Sequence, residues 1–382
     1  MPKYTLGDVS NEVKEAFKGD KTGMPIVGLE HLTPNEVTLS SWDLDTDNTF
    51  TKSFESGDML FGRRRAYLKK AAVAPFDGIC SGDITVIRAN PELLSPSLLP
   101  FLIQNDFLFD YAVEKSAGSL SPRVKWEHLK TYVLMLPKPE EQERTAEVLW
   151  SIEEACQSYK KLLVETDELV KSQFIERFGI PELNSRDFPT FSLTEVCESI
   201  TDGSHTPPKG VDRSEYLMLS SKNIIDDRIT FDEPRYLSRE QFENEDRRTR
   251  IKAGDVLLTI VGTVGRTAVV PEEHPNIALQ RSVCVLHPNN TVVDSQFLCY
   301  ELKCMQQFID AQAQGVAQRG IYLAQVGKLR IIVPEMPKQI EFVKLLQQSN
   351  KAKVVLQQAL KEARALQKKI VEDNFIVQGK EN

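Results

Sequence analysis

The sequence predicts an α+β chain in which two mixed globular domains alternate with two long helices that form an antiparallel coiled coil. Three observations support this fold class: a repeat at constant offset, two stretches of about 40 residues with a heptad-like seam, and opposite net charges on those stretches. We place the first domain at residues 1–136, the first long helix at 137–179, the second domain at 180–333 and the second long helix at 334–382.

The repeat is visible as short matches at a fixed distance. Residues 57–60 (Gly-Asp-Met-Leu) recur as residues 254–257 (Gly-Asp-Val-Leu), 197 positions later. Gly118 with Gly315 and Gln142 with Gln339 keep the same offset, whereas residues 6–9 match residues 193–196 at an offset of 187. The chain is therefore interpreted as a duplication, with about ten extra residues near the start of its second half.

Each predicted domain contains short apolar runs bounded by Gly and Asp, which are typical of strands and turns. Such runs occupy residues 84–87, 256–261 and 267–270. A helical stretch follows in each half, at 98–113 and 296–311. A short strand then closes each domain, at 132–136 and 330–333.

The first long helix is predicted to begin at residues 137–142, where prolines and acids suit a helix N-terminus. It ends at residues 179–181 (Gly-Ile-Pro). Residues at alternating three- and four-residue steps form the seam of this helix, and the same positions plus 197 form the seam of the second. The seam positions are Leu149, Ile152, Cys156, Tyr159, Leu163, Thr166, Val170 and Gln173, and then Leu346, Ser349, Lys353, Leu356, Leu360, Ala363, Gln367 and Ile370.

Charge favours pairing of the two helices with each other. Residues 138–178 contain six basic and ten acidic side chains, and residues 338–374 contain eight basic and four acidic ones. The alternative is that each helix is amphipathic and packs only on its own domain.

Bulk composition restricts the function classes. The net charge of −8 alone counts against nucleic-acid binding, but residues 57–70 contain five basic side chains and one acid. The first twenty residues have no apolar core typical of a signal peptide, and the apolar stretch 93–105 is too short to span a bilayer. Six scattered cysteines without a Cys-x-x-Cys pair fit a reducing compartment, so we expect a cytoplasmic protein.

Three segments resemble signatures of the specificity subunit of type I restriction-modification systems. They are residues 136–144 (Leu-Pro-Lys-Pro-Glu-Glu-Gln-Glu-Arg), residues 200–207 (Ile-Thr-Asp-Gly-Ser-His-Thr-Pro), and residues 254–257 followed by 262–266 (Gly-Thr-Val-Gly-Arg). The order and duplication of these segments carry the resemblance over nearly the whole chain. The first half departs from it, because it lacks the Asp-Gly-Ser-His-Thr-Pro string and has three arginines after Gly62.

The resemblance implies that the two domains are target recognition domains that read the two halves of a bipartite site in double-stranded DNA. It further implies that the helices dock two methyltransferase subunits, which carry S-adenosylmethionine, and that two restriction/translocase subunits join them. Mg and ATP are expected in those partners, with no cofactor in this chain. The chain itself is then a non-catalytic subunit.

Candidate DNA-contacting residues come from the basic window and from the polar loops of the second half, with plain solvent-exposed turns as the alternative. The Gly262-x-x-Gly265 segment could expose backbone N–H groups to a phosphate or could be an ordinary hairpin turn. His205 could contact DNA or cap a turn. The candidates are Arg63, Arg64, Arg65, Tyr67, Lys69, Lys70, Ser204, His205, Lys209, Thr263 and Arg266.

Catalytic interpretations find no support in the sequence. Asp294, Glu301 and Lys303 mimic a metal-dependent nuclease, but the last two fall within a predicted helix rather than a strand. No P-loop is present, and the five histidines show no metal-ligand spacing. Two rival functions remain open: the specificity protein of a type II system with a fused methyltransferase-nuclease, and a coiled-coil scaffold without a DNA role.

Overall fold

A computed structural model of the chain describes residues 1–44, 47–313 and 319–376. By contacts the chain divides into two compact units. Unit 1 contains Met1–Leu162 together with the chain from Val355 onward, and unit 2 contains Leu163–Val354. Each unit thus combines one globular domain with part of both long helices. Gly315 of the repeat and the predicted helical residues 377–382 lie outside the described residues.

The globular domain of unit 1 is built from short strands and four short helices. In chain order these elements are β1 (Lys3–Thr5), α1 (Leu6–Val9), β2 (Ser10–Val13), β3 (Ile26–Val27), β4 (Lys52–Phe54), β5 (Met59–Gly62), β6 (Ala71–Val73), β7 (Gly78–Cys80), β8 (Ile84–Ala89), α2 (Leu99–Ile103), α3 (Asp106–Glu114), α4 (Trp126–Leu129) and β9 (Val133–Met135).

The first long helix, α5 (Pro139–Phe178), starts in unit 1 and ends in unit 2, and Gly179 follows it with a φ of 79°. The remaining elements are β10 (Thr190–Ser192), α6 (Leu193–Val196), β11 (Cys197–Asp202), β12 (Tyr216–Leu219), β13 (Ile224–Ile225), β14 (Arg228–Ile229), β15 (Arg235–Leu237), α7 (Arg239–Thr249), β16 (Val256–Thr259), β17 (Thr267–Val269), β18 (Asn276–Leu279), β19 (Val283–Pro288), α8 (Ser295–Cys304), α9 (Gln306–Ala311), α10 (Leu323–Lys328), β20 (Arg330–Ile332) and the second long helix α11 (Met336–Phe375).

The duplication is confirmed by strand order. The main sheet runs β2-β8-β5-β6 in unit 1 and β11-β19-β16-β17 in unit 2, antiparallel throughout. A parallel pair accompanies each sheet, β3 with β7 and β12 with β18. The third strand of this smaller sheet differs, because β4 joins β7 whereas β15 joins β12.

The matched segments 6–9 and 193–196 form the same one-turn helix in both units. The Thr5 backbone N–H donates to the Asp8 carboxylate over 2.7 Å, and the Ser192 backbone N–H donates to the Glu195 carboxylate over 2.7 Å. These reciprocal caps explain why a hydroxyl residue precedes an acid by three positions in each repeat.

The predicted helical stretches 98–113 and 296–311 are confirmed, and each of them consists of two helices separated by a short break. In unit 1 the break lies between α2 and α3, where the Asn105 side chain accepts a hydrogen bond from the Leu108 N–H at 2.9 Å. In unit 2 Met305 separates α8 from α9. The apolar pattern continues across the break, which is why periodicity alone cannot detect it.

The repeated Gly-Asp pair closes a turn and anchors the central strand. The buried Asp58 accepts a hydrogen bond from the Glu55 N–H at 2.8 Å and pairs with Arg88 on β8 through two contacts of 2.7 and 2.8 Å. In unit 2 the buried Asp255 accepts from the Lys252 N–H at 2.6 Å and contacts His287 on β19 at 2.8 Å. This motif therefore stabilises the sheet.

The repeated Pro-x-x-x-x-Gln signature has a physical explanation in unit 1. The buried Gln142 side chain accepts a hydrogen bond from the Ser95 N–H at 2.9 Å and donates to the Leu93 and Pro137 carbonyls at 3.0 and 3.1 Å. One amide thus ties the domain to the start of α5.

Unit 2 repeats this arrangement with the buried Gln339. Its side chain accepts from the Asp294 N–H at 2.8 Å and donates to the Val292 and Pro334 carbonyls at 3.2 and 2.7 Å. The glutamine suits this role in both repeats because a side-chain amide supplies two N–H donors and a carbonyl acceptor in one planar group.

Antiparallel pairing of α5 with α11 is confirmed inside unit 1. Arg364 on α11 donates two hydrogen bonds to the Glu153 carboxylate on α5, one of them 3.1 Å long. Gln367, three residues further along α11, reaches back to the Leu149 carbonyl at 3.5 Å. Contacts that move forward on one helix and backward on the other define an antiparallel pair.

The portions of the same helices inside unit 2 pair in the same sense. Lys353 donates to Asp167 at 2.7 Å and Arg177 donates to Glu341 at 2.9 Å. Acids on α5 thus face a base on α11 at Glu153 in unit 1 and at Asp167 in unit 2, as the net charges predict. All sixteen predicted seam positions are buried or half-buried, so the seam is confirmed as well.

Within the described residues, no helix combines the length and apolar character that crossing a membrane requires. All six cysteines are unpaired.

Candidate nucleic-acid interface

Three segments of unit 1 meet at one end of its main sheet, where β5 ends and β8 begins: the β5–β6 connection, the turn before β8, and the loop of residues 116–124 after α3. The Arg63 N–H donates to the Asp83 carbonyl at 3.0 Å, and the Arg65 N–H donates to the Pro122 carbonyl at 2.8 Å. The Val124 N–H returns a hydrogen bond of 3.0 Å to the Arg63 carbonyl. This network defines the unit 1 edge and gathers basic side chains that are distant in sequence.

One carboxylate holds two of these side chains. The Arg123 Nε lies 2.8 Å from one Asp83 oxygen, and an Arg64 guanidinium nitrogen lies 3.5 Å from the other. The hydrogen bond from Arg123 holds the pKa of Asp83 below its ordinary value, so this acid is ionised at neutral pH. Two guanidiniums against one carboxylate, with the exposed Arg65 beside them, leave the unit 1 edge positively charged.

An open groove of about 690 Å³ borders the same edge. Lys52, Arg63 and Arg123 contribute its basic side chains, and the backbone at Gly82 forms part of its wall. Lys52 also donates to the Ile84 carbonyl at 2.7 Å, and burial lowers its pKa. Sequence reasoning missed Lys52 and Arg123, because only the strand order brings them beside Arg63.

The predicted basic window is divided by the structure. Arg63, Arg64 and Arg65 lie at the unit 1 edge, whereas Lys69 donates to Asp106 at 2.5 Å and Lys70 donates to the Leu29 carbonyl at 2.6 Å. Tyr67 is exposed on the single helical turn between these groups. The two lysines are therefore engaged inside unit 1.

Asp106 is a junction between the domain and α11, because Lys368 of that helix also donates to it at 2.5 Å. Hydrogen bonds from Lys368 and Lys69 hold the pKa of Asp106 below its ordinary value. The conformation of the window has a local cause as well. Arg65 and Lys69 both adopt positive φ, at 55° and 52°, on either side of the turn that carries Tyr67.

In unit 2 the two equivalent loops, the β16–β17 loop and the turn before β19, meet together with the loop after β11. The Ser204 N–H donates to the Leu279 carbonyl at 2.7 Å, and the Arg281 N–H donates to the Ser204 carbonyl at 2.9 Å. The Ile260 N–H donates to the Ser282 carbonyl at 2.9 Å. The loop after β11, the turn before β19 and the β16–β17 loop thus form a connected unit 2 edge.

Two isolated strand bridges show that the two edges correspond. Arg64 pairs with Arg123 in unit 1, and Val261 pairs with Gly320 in unit 2. Arg64 and Val261 are 197 residues apart, and so are Arg123 and Gly320. This separation is the offset of the repeat. The duplication has therefore placed the same pair of loops at the same end of each main sheet.

Basic side chains also border the unit 2 edge, but from different positions. Lys222 is exposed, and the neighbouring Ser221 N–H donates to the Ser282 side chain at 3.0 Å. Arg281 is exposed, and so is Arg319, which pairs with Asp310 at 3.3 Å. These three cations were missed by sequence reasoning, since they stand singly in polar segments and no run of basic residues marks them.

The Asp-Gly-Ser-His string begins at the last residue of β11, and its residues have different structural roles. The Asp202 side chain is 8% exposed and accepts hydrogen bonds from Arg248 and, at 2.7 Å, from the His205 Nε2. A Cβ on Gly203 would lie 2.1 Å from the Leu279 carbonyl oxygen, so only glycine fits there. His205 itself is 55% exposed, so the buried acid orients a histidine that faces solvent.

The first two residues of the Gly-Thr-Val-Gly-Arg hairpin face solvent, and the remaining three are buried or half-buried. Gly262 and Thr263 are exposed, and the Gly262 N–H donates to the Arg319 carbonyl at 3.1 Å. Gly265 is buried, and a half-buried Arg266 donates to the Ile224 carbonyl at 3.2 Å. Of this motif, Thr263 lies at the unit 2 edge and the Arg266 side chain is engaged inside unit 2. The predicted Lys209 is exposed in the loop that follows His205.

The nuclease-like residues have structural roles. Asp294 caps α8 by accepting from the Gln296 and Phe297 N–H groups at 2.8 and 3.1 Å. Glu301 is fully buried, which raises the pKa of its carboxyl, and it accepts from the Ile332 N–H at 2.6 Å. Lys303 pairs with Asp227 at 2.5 Å. Among the described residues no cluster of His, Cys, Asp and Glu could hold a metal ion.

Fold and site together define a class of protein: a duplicated chain with two mixed domains on paired helices, each domain presenting a loop edge bordered by cations. The chain belongs to the family described as type I restriction modification DNA specificity domain, whose model matches residues 3–165 and 185–363.

Curated relatives support the same family. The type I restriction enzyme EcoBI specificity subunit of Escherichia coli is 26% identical over 128 residues, which are 33% of this chain and 27% of that protein. The EcoDI specificity subunit of Escherichia coli is 28% identical over 122 residues, 29% of this chain and 26% of that protein. The matched segment spans about a quarter of the length of these relatives.

Solved structures share the fold. A chain from a study of complex assembly and conformational transition of the type I R-M system superposes with a TM-score of 0.53 at 19% identity, covering 98% of this chain and 97% of that one. The type I restriction-modification S subunit from M. genitalium gives a TM-score of 0.57 at 12% identity, covering 99% and 96%. At these identities the likeness concerns the fold alone.

Proposed function

We propose that this chain is the DNA-specificity subunit of a type I restriction-modification complex, that it reads a bipartite site in double-stranded DNA, and that it catalyses nothing itself. The observation that carries the proposal is the pair of equivalent edges. Each edge is built from the same loops of a duplicated domain, and each is bordered by cations. Two such surfaces on one chain suit two short blocks of sequence on one duplex.

The side chains at the edges suit both the binding of DNA phosphates and the reading of bases. Arginine at the unit 1 edge can neutralise phosphates and can donate two hydrogen bonds to guanine. At the unit 2 edge, His205, Thr263 and Arg281 offer different donors and acceptors. The two domains are therefore expected to read different half-sites.

The outer faces of the long helices support docking of partner subunits. Val148, Leu162 and Leu169 lie at multiples of seven residues on α5, and each is exposed. On α11 the exposed apolar side chains include Val354 and Leu366. These side chains lie outside the seam, and exposed apolar positions repeated along a helix suit a protein interface. We assign it to methyltransferase subunits, to which restriction/translocase subunits are added.

The remaining assignments follow from this partnership. S-adenosylmethionine, Mg and ATP belong to the partner subunits, and the assembled complex works in the cytoplasm. The rival with a fused methyltransferase-nuclease keeps the DNA-reading edges and changes only the partner. The alternative of a coiled-coil scaffold without a DNA role is disfavoured, because such a scaffold does not require two cation-bordered edges of the same construction.

Exchange of residues 1–136 for the first domain of another family member should change one half-site and leave the other unchanged. The reason is that each edge is built by loops of a single unit. The chain would be expressed with the methyltransferase subunit of its own system, and methylated positions would be mapped by sequencing. Alteration of both half-sites would contradict independent reading, and the absence of any sequence preference in the parent chain would contradict the proposed function.

Removing two cations from the unit 1 edge should weaken the salt dependence of DNA binding. In the double variant Arg65→Ala/Arg123→Ala, the slope of log affinity against log salt should flatten by roughly two, since each phosphate contact contributes about 0.9. The matched control is Arg144→Ala/Lys361→Ala, which removes two exposed cations from the helices of unit 1. Equal slopes for the edge variant and its parent would exclude these arginines as phosphate contacts.

A further inference from the structure

We infer that Leu120 makes an apolar contact with a base of the half-site read by unit 1; this rests on the proposed function. Leu120 is 93% exposed, the highest value among the large apolar side chains of the described residues. It lies in the loop of residues 116–124 at the unit 1 edge. Single exposed leucines are common on proteins, so exposure alone does not identify a contact.

The loop that carries Leu120 is closed on itself. The Ala117 N–H donates to the Arg123 carbonyl at 3.0 Å, and the Arg123 N–H donates back to the Ala117 carbonyl at 2.9 Å. Gly118 turns the chain with a φ of 117°. The leucine is thus presented at the tip of a hydrogen-bonded loop, and the backbone on both sides of it is fixed.

The same loop is attached to the arginine segment. The Arg64 Nε donates to the Ser121 hydroxyl at 2.5 Å, and the Arg65 N–H donates to the Pro122 carbonyl at 2.8 Å. The residues on the C-terminal side of Leu120 are therefore held by the cations of the edge. An apolar side chain on a loop that arginines hold is unsuited to an apolar protein surface, because that surface would have to desolvate the charges of the neighbouring arginines.

A duplex satisfies both kinds of group at once. Phosphates neutralise the arginines, while the base pairs between the two backbones offer apolar surface. In the grooves a leucine can cover the methyl group of thymine or press against a base step. Both contacts depend on the identity of the base pair, so Leu120 should contribute to sequence preference at one position of the half-site. The repeat aligns Leu120 with Ala317, a smaller residue that lies outside the described residues.

The test uses Leu120→Ser in the whole chain assembled with its methyltransferase subunit, and selects bound sequences from a randomised DNA library. Preference at one or two adjacent positions of the first half-site should fall about tenfold, with the second half-site and the salt slope unchanged. Leu120→Met should restore most of the preference. The control is Leu183→Ser, which removes a leucine that is 72% exposed in unit 2.

Two results would overturn the inference while leaving the proposed function intact. One is an unaltered pattern of preference in Leu120→Ser, with or without a uniform loss of affinity. The other is an equal loss of preference at both half-sites, which would show that Leu120 has no role particular to the first half-site. A parent complex that selects no sequence at all would instead contradict the proposed function.

Discussion

Replacement of Phe174 by alanine should lower the free energy of unfolding of unit 2 by about 3–5 kcal/mol. Phe174 projects from α5 and is fully buried. Its ring centroid lies 5.1 Å from Phe178, 5.2 Å from Phe342 on α11, and 5.8 and 5.3 Å from Phe297 and Tyr300 on α8. Truncation leaves a cavity at the point where both long helices and the second domain meet.

The measurement can separate the two units, because Trp42, Trp126 and Trp150 all lie in unit 1. Calorimetry and hydrogen exchange of the β16 and β19 amides should report the loss in unit 2, while denaturation followed by tryptophan fluorescence should stay near the parent curve. Phe308→Ala removes an exposed phenylalanine of unit 2 and should cost much less. Comparable losses for the two variants would show that the cluster adds nothing beyond an ordinary surface phenylalanine.

Replacement of Glu153 by alanine should destabilise unit 1 by about 2–3 kcal/mol at neutral pH, because it leaves the partly buried Arg364 without its carboxylate partner. Glu153 is 2% exposed. Burial alone would raise its pKa, but hydrogen bonds from Arg364 and Gln157 more than offset this and hold the pKa below its ordinary value of 4.5. A carboxylate with a lowered pKa stabilises the folded state above that ordinary value, and the contribution disappears as the pH falls further.

The stability difference between the parent and Glu153→Ala should therefore be constant near neutral pH and shrink below about pH 4.5. Urea denaturation followed by tryptophan fluorescence measures it, since all three tryptophans lie in unit 1. Glu154→Ala, which removes the exposed neighbouring carboxylate, is the matched control and should change little. A difference that grows as the pH falls would mean that Glu153 is protonated in the folded state.

The features read correctly from the sequence depend on local patterns. The constant offset identified two copies of one domain, and the seam periodicity identified two long helices, which the structure has at Pro139–Phe178 and Met336–Phe375. Net charge indicated which helices pair. It could not identify Glu153 with Arg364 as a buried contact, because that requires the antiparallel register of the pair.

The candidate site was only partly accessible to such reasoning. Arg64 and Arg65 stand in a visible basic run, but Arg123 and Lys52 join them only through strand order and a loop bridge. Conversely, Lys69 belongs to the run in sequence and yet pairs with Asp106. A run of basic residues in the sequence shows only that they are neighbours along the chain. The unit 1 edge is formed by contacts between distant segments, which a local sequence pattern cannot predict.

The division of the chain into units affects the order in which the protein can fold during synthesis. Unit 2 is one continuous stretch, Leu163–Val354, whereas unit 1 needs Met1–Leu162 and residues that follow Val355. Val371 and Phe375 belong to the core of unit 1, and Ile376 pairs with Leu134 of β9. A ribosome therefore synthesises all of unit 2 before it adds the last core residues of unit 1. The first domain therefore cannot complete its core until the end of α11 has emerged from the ribosome. Until then part of its apolar surface stays uncovered.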